Sequence, residues 1–155
     1  MSIQEKLNQR QFKNSYHKLA LNLLVTSNYL ESFLKGTFKK ENITIQQYNI
    51  LRILRGSFPK PLSTLQIRER MTDRMSDTSR IVDRMVTKGL VTKNINVSDN
   101  RLVDVVITDK GLEKLAALDG IEDRITELFS TISPQEAEAT NVLLAKLHDN
   151  NRFFY

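Results

Sequence analysis

The sequence predicts a mainly α chain of the α+β class, with elements in the order α-α-α-α-β-β-α-α. Three observations carry this. Apolar residues recur at helical spacing through most of the 155 residues. β-branched residues crowd together only at 91–97 and 102–107. Between them lies the stretch 76–108, SDTSRIVDRMVTKGLVTKNINVSDNRLVDVVIT, which reads as a helix with a polar start, a Lys88-Gly89 stop and two β-rich runs joined by the tip Ser98-Asp99-Asn100-Arg101. A helix that leads straight into a hairpin with a charged tip is the outline of a winged helix.

Taken in order, residues 3–35 read as one long helix. Tyr16, Leu19, Leu23, Leu30 and Leu34 form its stripe, Leu7 and Phe12 extend it, and Gly36 with the polar run 39–42 ends it. Helices average 11 to 12 residues, so one this long has an end that needs cover from outside the local core. Thr44-Ile45-Gln46-Gln47 is a capping box opening a second helix, with Ile45, Tyr48, Leu51 and Leu54 inward and a stop at Gly56. Phe58-Pro59-Lys60-Pro61 makes a stiff turn. Ser63-Thr64-Leu65-Gln66 repeats the capping box and starts a short helix to about Met71. After the turn Thr72-Asp73-Arg74, Ser76 is expected to cap the next helix, with Ile81, Val82, Met85 and Val86 inward. Two helices separated by a few residues have the layout of a helix-turn-helix. Thr108 then caps a long helix expected over 109–130, and Ser133-Pro134-Gln135-Glu136 starts the last one, to about His148. The tail ends in Phe153-Phe154-Tyr155, three aromatics that a lone chain would rarely leave in water. Terminal helices with more apolar stripe than the centre can cover point to a homodimer.

Composition narrows the function. There is no cysteine, which excludes disulfides, a thiol switch and cysteine-ligated zinc. The polar start is no secretory signal and no apolar run is long enough to span a bilayer, so a cytoplasmic protein with no membrane partner is expected. His17 and His148 stand far apart in the sequence, and no HExxH, GxSxG, Walker or GxGxxG pattern occurs. No enzyme, metal or cofactor is expected. Residues 1–59 carry nine Lys/Arg against three Asp/Glu, residues 60–108 nine against six, and residues 109–155 five against nine. A basic front and middle with an acidic tail suits a polyanion at one end and a partner helix at the other.

The helix from Ser76 presents Ser76, Asp77, Ser79 and Arg80 at its start and Arg84 one turn on. These can read base edges, or can simply be the solvated face of an amphipathic helix. Arg101 at the hairpin tip is a long cation of the kind that enters a minor groove, unless it pairs with Asp99 or Asp104.

Two longer runs resemble the MarR family of winged-helix transcription regulators. Ser79 to Val91, SRIVDRMVTKGLV, is similar to that family's recognition helix and its exit. Asp99-Asn100-Arg101 matches its D-x-R wing signature, and Val105-Val106-Ile107-Thr108-Asp109-Lys110-Gly111-Leu112 its junction into the dimer helix. Two features depart from the family pattern: Met71-Thr72-Asp73 stands where a glycine is common, and the wing run 94–97 is less basic than usual. The resemblance implies a single MarR-like chain over 1–155, with a winged DNA-binding lobe at 44–108 and dimerisation helices at 1–36 and 109–155. It implies a homodimer on a palindromic duplex operator, with Ser76–Lys88 in the major groove, Arg101 in the minor groove, and Ser63 and Thr64 near phosphates. Arg74 and Thr78 complete the expected DNA-binding set. The resemblance further implies a repressor released by a small-molecule effector, but it carries over no effector residues; Tyr16, His17 and Tyr48 are candidate lining, with core packing the favoured role for each. The competing reading is a winged-helix module that binds protein instead of DNA.

Overall fold

The structure is a computed structural model that describes residues 11–97 and 99–149, with the side chains of His148 and Asp149 left aside. The expected helical start at 3–10, the tip residue Ser98 and the aromatic tail 153–155 lie outside the described residues. The chain divides into two compact units, 1–117 and 118–155.

In the first unit, α1 spans Ser15–Lys40. Residues 11–14, expected inside one long helix, are not helical, and Asn14 caps the helix that follows, its side chain accepting the His17 N–H at 2.8 Å. That helix runs through Gly36 and ends where Asn42 takes a positive φ of 54°. Its expected apolar stripe is exposed in the first half of the helix and half-buried at Leu30 and Leu34. Tyr16 is 82% exposed and Leu19, Leu23 and Leu24 are exposed, while Phe38 near the far end is buried. That end packs on α2, Ile45–Ser57, where the Phe38 and Tyr48 rings stack 4.5 Å apart. The capping box at Thr44 and Gln47 is present as expected, but Gly56 lies inside α2 and does not end it. The buried face of α2 is Gln47, Ile50, Leu51 and Leu54, whereas Ile45 and Tyr48 are half-buried.

The next helices, α3 (Thr64–Arg70) and α4 (Thr78–Thr87), turn Ile67, Val82 and Met85 into the same core. Val86, expected inside, is 40% exposed. The wing is an antiparallel pair, β1 (Val91–Ile95) and β2 (Val103–Ile107), with Val91 opposite Ile107 and Ile95 opposite Val103. Leu62 exchanges backbone bonds with Val105 at 3.1 and 2.9 Å, so the middle of β2 is flanked on both sides. That bridge fixes the wing to the segment that starts α3. Leu90, Val91, Val105 and Ile107 close the core from the sheet side. Burying side chains of this size contributes on the order of 1.5–3 kcal/mol each.

The helix expected over 109–130 is two helices: α5 (Asp109–Ala116) in the first unit and α6 (Ile121–Leu128) in the second. Asp119 and Gly120 supply the break, since both are poor helix formers and the apolar period alone could not report them. The second unit adds α7, Pro134–Asp149, behind the expected Ser133 and Glu136 capping box, whose two backbone bonds are 2.8 and 3.2 Å. No described helix is long and apolar enough to cross a membrane.

Candidate nucleic-acid interface

The site is built on the joint between α3 and α4. Ser63 caps α3, accepting from the Gln66 N–H while the Gln66 carbonyl oxygen accepts from the Ser63 N–H. Met71 leaves the helix buried and anchors the turn. One carboxylate, that of Asp73, then organises the next three residues: it accepts the Met75 N–H at 3.0 Å and the Ser76 hydroxyl at 2.6 Å. The cap of α4 is Asp77, not Ser76 as expected. Its side chain accepts the Arg80 N–H at 3.2 Å and meets Arg80 Nε at 3.1 Å. A carboxylate there also complements the positive end of the helix.

This turn brings Thr64, Arg74, Ser76, Asp77, Thr78 and Ser79 of the expected set onto one groove of about 450 Å³. Leu65, Arg68 and Met75 join them there. Sequence reasoning passed over these three, although Arg68 lies four residues after Thr64 and so falls on the same helical face. Ser63 is absent from the groove lining and serves as the cap. Thr78 is 4% exposed, with its hydroxyl 3.5 Å from Met71 Sδ and 3.4 Å from the Ser76 carbonyl, so it secures the turn from within. Arg84 is exposed one turn beyond Arg80.

On the wing, Arg101 is exposed and its backbone N–H donates to the Asp99 carboxylate at 2.9 Å. Asp104 instead accepts from the Asn96 amide. Among the described residues no carboxylate pairs with the guanidinium of Arg68, Arg74, Arg84 or Arg101. Unpaired, these four leave planar, multidentate donors and positive charge open to an anion.

The far end of α4 is held tightly. Gly89 takes φ 70°, and the bonds from Gly89 N–H to Val86 and from Leu90 N–H to Met85 close a Schellman motif. The Thr108 hydroxyl donates to the Gly89 carbonyl at 2.7 Å, and Lys110 Nζ to the Lys88 carbonyl at 2.8 Å. Lys88 Nζ in turn reaches the Asn42 carbonyl at 2.6 Å. Lys93 of β1 pairs with Asp83 of α4 at 2.8 Å, tying the wing to the helix before it.

The three candidate effector residues are not brought together within one chain. Tyr16 and His17 stand at the start of α1, whereas Tyr48 stacks on Phe38, 22 residues further along that helix and hence about 33 Å away. His17 Nδ1 accepts the Lys13 N–H at 3.3 Å. Among the described residues no cluster of three or more His, Cys, Asp or Glu could hold a metal ion.

The MarR family model matches residues 43–103. The chain is 28% identical over 119 residues to the uncharacterized HTH-type transcriptional regulator YkoM of Bacillus subtilis (strain 168), covering 75% of this chain and 76% of that one. Two solved structures share the fold. The organohalide-sensing regulator RdhR-CbdbA1625 in its 2,4-dichlorophenol-bound form has a TM-score of 0.80 at 19% identity, covering 89% of this chain and 82% of its own. S. aureus MepR in complex with DNA has a TM-score of 0.76 at 20% identity, covering 90% and 98%.

Proposed function

We propose that the chain is a sequence-specific DNA-binding transcriptional regulator, a reading supported by the match of residues 43–103 to the MarR family model. The observation that carries this is the groove at the α3–α4 joint, with Arg68 and Arg74 free of acids among the described residues, together with Arg101 on the wing, likewise unpaired among them. In this reading Thr64, Arg68 and Arg74 meet phosphates, with Ser63 ordering the helix start behind them. Ser76, Asp77, Ser79, Arg80 and Arg84 face the base edges, and Arg101 enters the flanking minor groove. MepR, which shares the fold, is a protein solved on DNA.

The chain works as a homodimer on a palindromic operator, its lobes at 44–108 and its dimer contacts on the flanking helices. The exposed Tyr16, Leu24 and Tyr29 of α1 support that part of the reading. It acts in the cytoplasm as a repressor that a small molecule releases, a role supported by the fold it shares with a regulator solved with 2,4-dichlorophenol. The exposed apolar wing residues Ile95, Val97 and Leu102 favour a second reading, a winged-helix module that binds protein.

The salt dependence of duplex binding tests the two. If the arginines neutralise phosphates, log affinity falls linearly with log salt, at a slope of about −0.9 for each phosphate engaged. In the same anisotropy titration Arg101→Ala weakens binding by about 1–3 kcal/mol. A flat salt response with unchanged Arg101→Ala affinity selects the protein-binding module.

A further inference from the structure

We infer that Met75 reads a thymine methyl group in the operator and is therefore a specificity-determining residue of this chain. The inference rests on the operator-binding reading above and names one base feature within it.

Met75 is 94% exposed, whereas Met71 and Met85 are buried at 4% and 0%. An exposed apolar side chain needs no explanation on a loose loop, but this one stands on a fixed turn. Its N–H donates to Asp73, the next residue's hydroxyl donates to the same carboxylate, and the Ser76 N–H bonds to the Asp73 carbonyl at 3.4 Å. The backbone on both sides is thus ordered, and the thioether is presented into the groove.

The groove itself combines two chemistries. Leu65, 48% exposed, adds a second apolar side chain beside Met75, and Arg68 and Arg74 add two guanidiniums without acidic partners. A matching surface must offer anionic groups next to a small apolar one. Duplex DNA does so in its major groove, where phosphates flank base edges whose exposed apolar group is the C5-methyl of thymine. Methionine suits that contact because its unbranched, polarizable chain adapts to the methyl without a polar group to satisfy. The neighbouring Ser76 and Ser79 supply hydrogen bonds, so the methyl contact adds discrimination that they do not provide.

The test uses the full chain and a duplex recovered from a randomised pool by that chain. A series of duplexes is made in which one dT at a time is replaced by dU, which removes the methyl and keeps every hydrogen-bonding group. At one dT per half-site the wild type should lose about fourfold in affinity, the factor expected for one methyl-sized group withdrawn from water. Met75→Ala should bind the parent duplex about fourfold more weakly and show no further loss at that dU. Met75→Leu should keep the dU sensitivity. If no dU position matters, or Met75→Ala retains the full dU loss, the assignment of Met75 is overturned while operator binding stands. If the wild type enriches no duplex at all, the operator-binding reading falls, and this inference with it.

Discussion

A single hydrogen atom decides position 111. Gly111 lies on the first turn of α5, where a Cβ would meet the Leu90 carbonyl oxygen and come to 2.7 Å from Ile107 Cγ1 and 3.2 Å from Leu51 Cδ2. Alanine would gain about 1 kcal/mol of helix propensity. Against that stands overpacking of about 1–3 kcal/mol, at its upper end here because one of the atoms met is backbone and cannot swing away. Gly111→Ala should therefore lower stability by about 2 kcal/mol in a urea titration, and an unchanged midpoint would show that the α5 start can slide off the sheet. Thr108-Asp109-Lys110-Gly111 was legible in the sequence as a junction, but the reason for the glycine was not, since Leu90 and Leu51 approach it only in the folded chain. Thr78 shows the opposite limit. It was expected in the DNA-binding set, and only the path of the turn shows that its hydroxyl faces Met71.

At the scale of elements, starts were easier to read than interiors. The caps at Thr44, Ser63, Thr108 and Ser133 all stand where the sequence placed them, because a cap is a local bond between residues three apart. The cap of α4 moved one residue, to Asp77, because Ser76 was already engaged by Asp73. The break at 117–120 was hidden by an apolar period that continues across it. The start of α7 yields a pH prediction. The Ser133 N–H, and then its hydroxyl, bond to the Glu136 carboxylate and hold it below the ordinary glutamate range. A carboxylate lowered in the folded state contributes above its unfolded pKa, and that contribution is lost as pH falls through the lowered value. In an NMR titration Glu136 should titrate below an ordinary glutamate, and Ser133→Ala should move it only part of the way back, because the backbone N–H stays while the hydroxyl is lost. Amides of the first turn of α7 should lose protection on the acid side of the wild-type transition. A Glu136 curve unmoved by Ser133→Ala would sink this account of the cap.

Over the whole molecule, the apolar face that α1 leaves uncovered is the feature most in need of a partner. Tyr16, Leu24 and Tyr29 are all more than half exposed on one helix, and 26 residues is long for an element whose buried residues are Thr37 and Phe38. The sequence already showed the part of that surface around Tyr16, Leu19 and Leu23, and it placed the core in the middle of the chain. It could not show that Phe38, rather than the stripe, carries α1 into the core. In the proposed dimer the stripe is the interface, so light scattering at micromolar protein should give twice the 17.9 kDa of one chain. Leu24→Glu should give the single-chain mass with the helical circular dichroism retained, because Leu24 is 60% exposed and no part of the core depends on it. A monomeric wild type would count against dimerisation through α1.

The two ends of α4 have different evolutionary prospects. Its last turn is fastened by Gly89, Thr108 and Lys110, with Lys88 reaching back to Asn42, so most changes there disturb the fold. Its first turn exposes Ser79 and Arg80 beside Met75, and surface replacements of that kind usually alter stability by no more than about 0.5 kcal/mol. If α4 reads DNA as proposed, descendants of this chain can acquire a new address on DNA by drift at 75, 79 and 80, while the clamp keeps the helix at the same angle.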